Sequence, residues 1–447
     1  MLQDLKFYGN PRFLVLGILG FSSGVPLFLT SRTLALWLNE TGVGYTTIGL
    51  FGAVSFPYAL KFLWAPCIDG LSWPWLTKKL GRRRSWLLVS QVLLIIGIAG
   101  FAVFDINQNL FCAAVLALGV AVVAATQETA FLAYQMALLS KKQYGPGEAM
   151  SILGYRMGML ASGAGALYIA TYLGWKWAYL LMAMCVAAGL VTVLLIDEPK
   201  NFSQSLNKPL RQKIQLWIHR RLGFSASLSH RVSGIGAAIA SPILDFIQQP
   251  NWWLALALFF FFKLGDNLIG SLSGPFYLEI GFSKVEIAHA VKMFGMWATI
   301  FGGMIGGVLV MRLGFLRSLY ICGSLHAIAM GMNLVMVEVG YNLPVLYLAI
   351  ALENITSGMR MNALLAYQLT VCNVSYAATQ VSLMTSCISL GRTVCSLPSG
   401  WLVDHMGWFN FFSLTCAANI LPLTIVVYLM WQNGENVFKR QRAIFRT

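Results

Sequence analysis

Ala133-Tyr134-Gln135 returns as Ala366-Tyr367-Gln368, and Gly174-Trp175 returns as Gly407-Trp408. The two offsets, 367 − 134 and 407 − 174, are both 233 residues. Soluble solenoid repeats have periods of roughly 20 to 50 residues, so this echo is of another kind. In a sequence this apolar, so long a duplication predicts two membrane-embedded halves arranged around a midplane site. A fainter echo agrees: Glu40-Thr41-Gly42 followed by Ile48 resembles Glu279-Ile280-Gly281 followed by Ile287.

Composition names the solvent independently. Of 447 residues 58% are hydrophobic and only 11% charged, too few to cover a water-facing globule of that size. The net charge of +15 would suggest nucleic acid in a soluble chain, but here the basic residues collect in short loops, a topological pattern that argues against a nucleic-acid partner. The eight cysteines lie scattered in or beside apolar runs, without paired spacing or histidine partners, so they read as small core hydrophobes and no metal or other cofactor is expected. No HExxH spacing and no clustered histidine and carboxylate metal site is found in the spans, which argues against an enzyme.

A helical span needs about 20 mostly apolar residues. Twelve such runs fall near 12–38, 45–66, 85–104, 110–139, 147–172, 175–196, 252–278, 287–311, 316–337, 344–372, 379–403 and 408–432. The first is too long for a signal peptide. The expected fold is therefore an all-α integral membrane protein with twelve transmembrane helices in two pseudo-symmetric six-helix halves. Its parts are an N-terminal bundle (1–196), a basic linker (197–250), a C-terminal bundle (251–432) and a tail (433–447). Lys78, Lys79, Arg82, Arg83 and Arg84, then Lys141 and Lys142, then Lys439, Arg440, Arg442 and Arg446 occupy alternate loops and the tail, whereas Glu40, Asp105, Glu279 and Glu338 occupy the others. By the positive-inside rule both termini and the linker are cytoplasmic, and the linker is suited to anionic lipid headgroups.

Eight charged residues fall inside spans: Arg32, Glu128, Arg156, Lys263, Asp266, Glu353, Arg360 and Arg392. At roughly 3 kcal/mol each, exposing all eight to lipid would cost on the order of 20 kcal/mol, so they are expected to face the bundle interior. Five basic groups against three acidic ones favour an anionic small-molecule substrate. The plainer alternative is that the charges pair off as helix glue. Glu128 and Arg156 sit at similar heights in spans four and five and are expected to face each other, with Glu128 exchanging that partner for a proton. Asp266 and Glu353 are further proton-coupling candidates. Lys263 lies three residues before Asp266, on one face of span seven, and Arg360 and Tyr367 share a stripe of span ten. By the 233-residue offset Gln127 matches Arg360, so the halves present different groups at equivalent positions. Tyr134 and Tyr155 complete the set of substrate-contact candidates, since ring faces stack on sugars and apolar surfaces. Lys61 and Asp69, near one end of span two, could bond each other, and His326 reads as a hydrogen-bonded core residue.

Asp69 with Gly81-Arg82-Arg83-Arg84, and Gly307-Val308-Leu309 with Arg312-Leu313-Gly314, resemble the signature of major facilitator transporters at these helix junctions. A helix-end carboxylate and a basic turn can lock neighbouring helices in one state and release them in another, and Met311 in place of the second acid predicts a weaker second lock. The alternative is that these basic residues only set topology.

Further strings make the resemblance more specific. Gly20-Phe21-Ser22-Ser23-Gly24-Val25-Pro26-Leu27, Lys61-Phe62-Leu63-Trp64-Ala65-Pro66, Leu153 to Leu160, Lys263-Leu264-Gly265-Asp266, Glu353-Asn354, Cys372-Asn373 with Ala378-Thr379-Gln380, and Gly391-Arg392 are similar to strings of the AmpG-type muropeptide permeases. This resemblance, over residues 9 to 430, implies proton-driven import of anhydro-muropeptides across a bacterial inner membrane for cell-wall recycling, by a chain expected to act as a monomer. It departs from the family pattern in span four, which reads Gln127-Glu128 and then Leu132-Ala133-Tyr134-Gln135 where relatives carry two aspartates, and at Arg32, where relatives keep a small residue. A carrier of another bulky anion, such as an acyl-CoA or a nucleotide-like metabolite, stands as the alternative.

Overall fold

The computed structural model describes residues 11–43, 51–71, 74–103, 110–199, 240–269, 272–396 and 398–444. No β-strand occurs among them. Residues 200–239, most of the expected basic linker, lie outside the described residues. Among the described residues, eight helical stretches are long and apolar enough to cross a membrane, including Pro11–Glu40, Arg82–Val103, Leu110–Leu138, Trp175–Leu195 and Phe315–Val339. Spans five, ten and eleven are also long helices or helix pairs (Tyr144–Leu160 continuing into Ala166–Leu173, Leu343–Val371, and Ala377–Ser396) but are more polar. The second span is broken into short pieces, Phe51–Ser55, Phe56–Leu60, Lys61–Leu63 and Ala65–Gly70. Pro57 and Pro66 sit at the starts of two of them, where a missing N–H does no harm and a continuous helix would be interrupted.

The duplication is visible in the backbone. Gly174 (φ 88°, ψ 164°) and Gly407 (φ 73°, ψ 169°) adopt the same left-handed corner before spans six and twelve, a conformation that favours glycine. Span one ends with N–H bonds from Thr41 to the Trp37 carbonyl (3.1 Å), Gly42 to Asn39 (3.1 Å) and Val43 to Leu38 (3.0 Å). The first part of the second half ends the same way, with Ile280 to Phe276 (3.1 Å), Gly281 to Leu278 (3.1 Å) and Phe282 to Tyr277 (3.0 Å). Each turn is then tied to the matching tryptophan: the indole of Trp175 donates to Glu40 (2.7 Å) and that of Trp408 to Glu279 (2.9 Å). The recurring glutamates and tryptophans are thus one repeated contact.

The chain divides into two compact units. The first comprises 1–141, 150–252 and 370–386; the second comprises 142–149, 253–369 and 387–447. Two short segments are therefore exchanged relative to the simple halves read from the sequence. In the first unit, spans one and five approach backbone to backbone: a Cβ on Gly20 would strike the Ser151 carbonyl, one on Gly154 the Gly17 carbonyl, and one on Gly158 the Phe21 carbonyl. In the second unit a Cβ on Gly391 would strike the Phe260 carbonyl, the same contact repeated at offsets of 391 − 158 = 233 and 260 − 21 = 239. Spans eight and ten approach equally closely through Gly302, Gly306 and Gly358. Small residues permit this because helix association in lipid depends on dispersion contacts rather than on a hydrophobic driving force.

Each unit has its own apolar core, one around Leu94, Phe101, Ala121, Tyr179 and Val186 and the other around Phe276, Met330, Leu346, Phe411 and Phe412. The entrance to span eight is fixed by a capping box: Glu286 accepts from the Ser283 N–H (2.8 Å) and the Ser283 hydroxyl accepts from the Glu286 N–H (3.2 Å). The Ser283 N–H and the Tyr341 hydroxyl hold the Glu286 carboxyl below its usual range.

Because the groups facing Gly154 are backbone, they have little room to yield. Gly154→Val is expected to cost about 3 kcal/mol by overpacking. It should lower the thermal midpoint of the detergent-solubilised protein by several degrees, whereas Gly119→Val, which meets nothing within 4 Å, should leave it unchanged.

Candidate functional site

Three polar clusters arise from the charged and amide residues that the spans enclose. The first lies at the end that bears Arg82–Arg84. Asp69, 3% exposed, closes the last piece of span two. Its carboxylate accepts from the N–H of Ala378 (3.2 Å) and from the N–H and hydroxyl of Thr379 (2.7 and 2.8 Å). These are the first turn of the span-eleven helix, whose amides have no partner within their own helix, so a carboxylate there satisfies both the orphan donors and the helix dipole. Arg83 adds a second tie, donating to the Val374 carbonyl (2.7 Å) in the turn before that helix. Asp245, in a short helix over 240–247, accepts from the side chains of Asn373 (3.2 Å) and Gln380 (2.8 Å) and holds the same turn from another side.

The carboxylate and the basic turn do not bond each other; Asp69 and Arg83 each hold the start of span eleven, and Arg84 is bonded elsewhere. Arg84 donates to the Val193 and Leu194 carbonyls at the end of span six, while Glu198 accepts from the N–H groups of Arg83 and Arg84 at the start of span three. Arg82 stays within electrostatic reach of Asp69. A helix N-terminus offers fixed, already oriented donors, which suits a buried carboxylate better than a guanidinium that must itself be desolvated. Arg312, the counterpart in the second copy, ends the span-eight helix and is exposed.

The second cluster belongs to the first unit. Lys61, 2% exposed, forms an ion pair with Glu128 (3.2 Å), which retains about a quarter of its side-chain surface. This corrects two expectations: Glu128 is paired with Lys61 rather than Arg156, and Lys61 pairs with Glu128 rather than Asp69. The non-helical Lys61–Leu63 turn of span two carries the lysine to span four, a position that helical periodicity could not place. Gln127 is fully buried and accepts from Ser23 (3.0 Å). Tyr58 lies within electrostatic reach of Tyr155 and Glu128. Three buried donors have no hydrogen-bond partner among the described residues: the Tyr58 hydroxyl, Gln127 Nε2 and Arg156 Nε. Tyr58 is not legible in the sequence because a neutral tyrosine in an apolar run carries no cost of buried charge to mark it.

The third cluster belongs to the second unit. Asp266, on the short helix Leu264–Ile269, bonds Arg360 of span ten through one oxygen and His326 of span nine (2.7 Å) through the other. Arg360, 2% exposed, also donates to Asn419 (3.0 Å) and lies over the Phe262 ring. Lys263 and Glu353 stand within electrostatic reach of this group. The position matching Gln127 thus carries a buried ion pair in the second half and a neutral hydrogen bond in the first. His326, read from the sequence as a hydrogen-bonded core residue, is fully buried with a carboxylate as one of its two partners.

The remaining candidates do not join these clusters. Tyr134 is buried, its hydroxyl donating to the Asp197 carbonyl (3.1 Å), so it is a packing residue rather than an open contact. Arg32 and Arg392 are exposed, against the expectation that all eight span charges are enclosed. Arg32 rests over the Phe28 ring just past the break that ends the helix Pro11–Leu29. Neither has a carboxylate to offset burial, which is the physical reason a cation keeps access to solvent or headgroups. Tyr155 and Tyr367 are half-buried.

Many long apolar helices, a repeated frame and enclosed charge define a multi-pass membrane protein of transporter type. The model of the Major Facilitator Superfamily matches residues 13–296. The anhydromuropeptide permease of Escherichia coli (strain K12) is 34% identical over 447 residues, covering 100% of this chain and 85% of that protein. A putative transporter AmpG 4 of Rickettsia felis is 29% identical over 429 residues, covering 95% of this chain and 98% of that protein. Among solved structures, the proton:xylose symporter XylE has a TM-score of 0.67 at 13% identity, covering 94% of each chain. The human organic anion transporter MFSD10 has a TM-score of 0.58 at 18% identity, covering 93% of this chain and 97% of that one. The chain belongs to the AmpG-type permease family of the Major Facilitator Superfamily, and membership places it among transporters rather than enzymes.

Two outcomes follow. Asp69→Asn loses charge-assisted bonds of roughly 1.5–3 kcal/mol. Alkylation of the buried Cys372 by a permeant maleimide should therefore accelerate on the order of ten-fold or more; an unchanged rate would show that Asp69 holds nothing closed. Removing one partner of a buried pair leaves the other charge uncompensated. Glu128→Gln should therefore destabilise the protein by about 2–3 kcal/mol, and Lys61→Met with Glu128→Gln should recover most of that in thermal melts.

Proposed function

We propose that this protein imports anhydro-muropeptides, the sugar-peptide fragments of the cell wall, across a bacterial inner membrane by proton symport, for wall recycling. The observation that carries the reading is the cluster of buried donors without acceptors in the first unit: Tyr58, Gln127 and Arg156. Leaving such groups unpaired costs free energy, so a ligand rich in acceptors, carboxylates above all, is favoured there. With Lys61 neutralising Glu128, the guanidinium of Arg156 is the cation of this cluster available to an anion. The named activity of the Escherichia coli relative supplies the substrate class, since a muropeptide combines sugar hydroxyls with several carboxylates.

In the first unit Arg32 and Tyr155, and in the second unit Lys263, Arg360, Tyr367 and Arg392, are the further candidates for solute contact, as cations and as ring faces. Glu128, Asp266 and Glu353 are the acids through which a proton gradient would act. The ties from Asp69, Arg83 and Asp245 hold the start of span eleven within the first unit, at the end bearing the basic loops, which the positive-inside rule assigns to the cytoplasm together with both termini. Opening that end requires exchange of these bonds, as alternating access demands. A monomer suffices for this cycle.

Proteoliposomes supplied with radiolabelled GlcNAc-anhydroMurNAc-peptide should accumulate it when the lumen is alkaline and not when the gradient is collapsed. Arg156→Gln should lower uptake at subsaturating substrate on the order of ten- to a hundred-fold, the loss expected when a carboxylate forfeits a charge-assisted partner. Accumulation of an acyl-CoA in place of the muropeptide would overturn the substrate assignment.

A further inference from the structure

Both ring nitrogens of His326 meet hydrogen-bonding groups. Nε2 lies 2.7 Å from an Asp266 oxygen, and two lone pairs at that distance repel, so a hydrogen lies between ring and carboxylate. Nδ1 lies 2.9 Å from the Thr356 hydroxyl, which can donate to a bare Nδ1 or, turned to the Leu352 carbonyl 2.7 Å away, accept from a protonated one. The pair can therefore take up one proton beyond a neutral imidazole beside a carboxylate, with the Thr356 hydroxyl turning to receive it.

We propose that His326 and Asp266 together form the proton-binding site of the transport cycle, with Arg360 and Thr356 as the groups that position it. This rests on the reading of the protein as a proton symporter and names the site that the reading leaves open. The neighbouring charges give the site its coupling. Arg360 reaches Asp266 from span ten, Lys263 stands on the same span as Asp266, and Glu353 lies about two turns before Arg360 on the same stripe of span ten. Asn419 of span twelve, hydrogen-bonded to Arg360, is neutral.

Two cations and two carboxylates balance, so the additional proton leaves the cluster with a net charge of +1. That charge resists protonation while the site is empty and attracts an anionic solute once the proton is bound. By linkage a solute carboxylate nearby raises the affinity for the proton by the same factor, which is the thermodynamic form of symport. When the solute leaves, the proton is released from Nδ1 to water, the Thr356 hydroxyl turns to donate to that nitrogen, and the neutral imidazole keeps its Nε2 hydrogen toward Asp266.

The test has a readout independent of transport. In the full-length protein with nitrogen-15-labelled histidine, the His326 ring resonance is identified by its loss in His326→Gln. It should show Nε2 protonated throughout and Nδ1 gaining a hydrogen as the pH falls. An Nδ1 that stays bare down to the lowest pH at which the protein remains folded would overturn the proposal, because the ring would then take up no proton. Thr356→Val removes the acceptor of the Nδ1 hydrogen, so proton affinity should fall and the ring's titration midpoint should move to lower pH by roughly half a unit to one unit. No shift, or a shift to higher pH, is the contrary result.

Transport separates this proposal from the reading beneath it. If the wild-type protein moves the labelled muropeptide with no accompanying proton, proton symport fails whatever the ring does. If the wild type moves at least one proton per solute and His326→Gln moves the same number, the assignment of the site fails and symport stands. The expected result is a ratio lower by one in His326→Gln. Should that variant not fold, Thr356→Val decides through the direction of its shift.

Discussion

A charge enclosed in a low-dielectric bundle must find a partner or stay out, and most of this structure's polar detail answers that requirement. Lys61 is matched by Glu128, Asp266 by Arg360 and His326, and Asp69 by the amides of another helix. Arg32 and Arg392, without such partners, are exposed. Even Arg84, close to the membrane boundary, is drawn to the unsatisfied carbonyls at the end of span six. The same requirement also identifies what is left over. Tyr58, Gln127 and Arg156 keep buried donors unpaired, and unpaired donors are what a solute's acceptors can use.

Duplication supplied the frame and divergence supplied the chemistry. The glycine corners at 174 and 407, the indole-to-carboxylate ties at Trp175 and Trp408, and the close approaches at Gly158 and Gly391 repeat almost unchanged. These contacts are geometric and permit little substitution. Where spans one and four meet, Ser23 bonds Gln127; where spans seven and ten meet, Asp266 bonds Arg360. Equivalent places in the two halves therefore hold a neutral pair and an ion pair.

Much of this was legible without coordinates. The apolar runs, their number and the long-period echo gave the fold class, and the cost of charge in hydrocarbon marked Glu128, Asp266 and Arg360 as residues to watch. Less legible were the breaks. Span two looks like one apolar run, yet Pro57 and Pro66 and a short turn at Lys61–Leu63 rotate Lys61 onto span four. The compact units also exchange 142–149 and 370–386, which no hydropathy pattern announces.

The sequence by itself determined that the chain lies in a membrane, that it is built twice, and which ionisable groups need shelter, because these depend on composition and on spacing along a single helix. Partnership was decided only by the tertiary structure. Asp69 meets Ala378 across 309 residues, and Arg360 meets Asp266 across 94. Such contacts depend on which helices become neighbours and on how each is rotated about its own axis. A few residues of irregular backbone are enough to change that rotation, and with it the identity of every partner further along the helix.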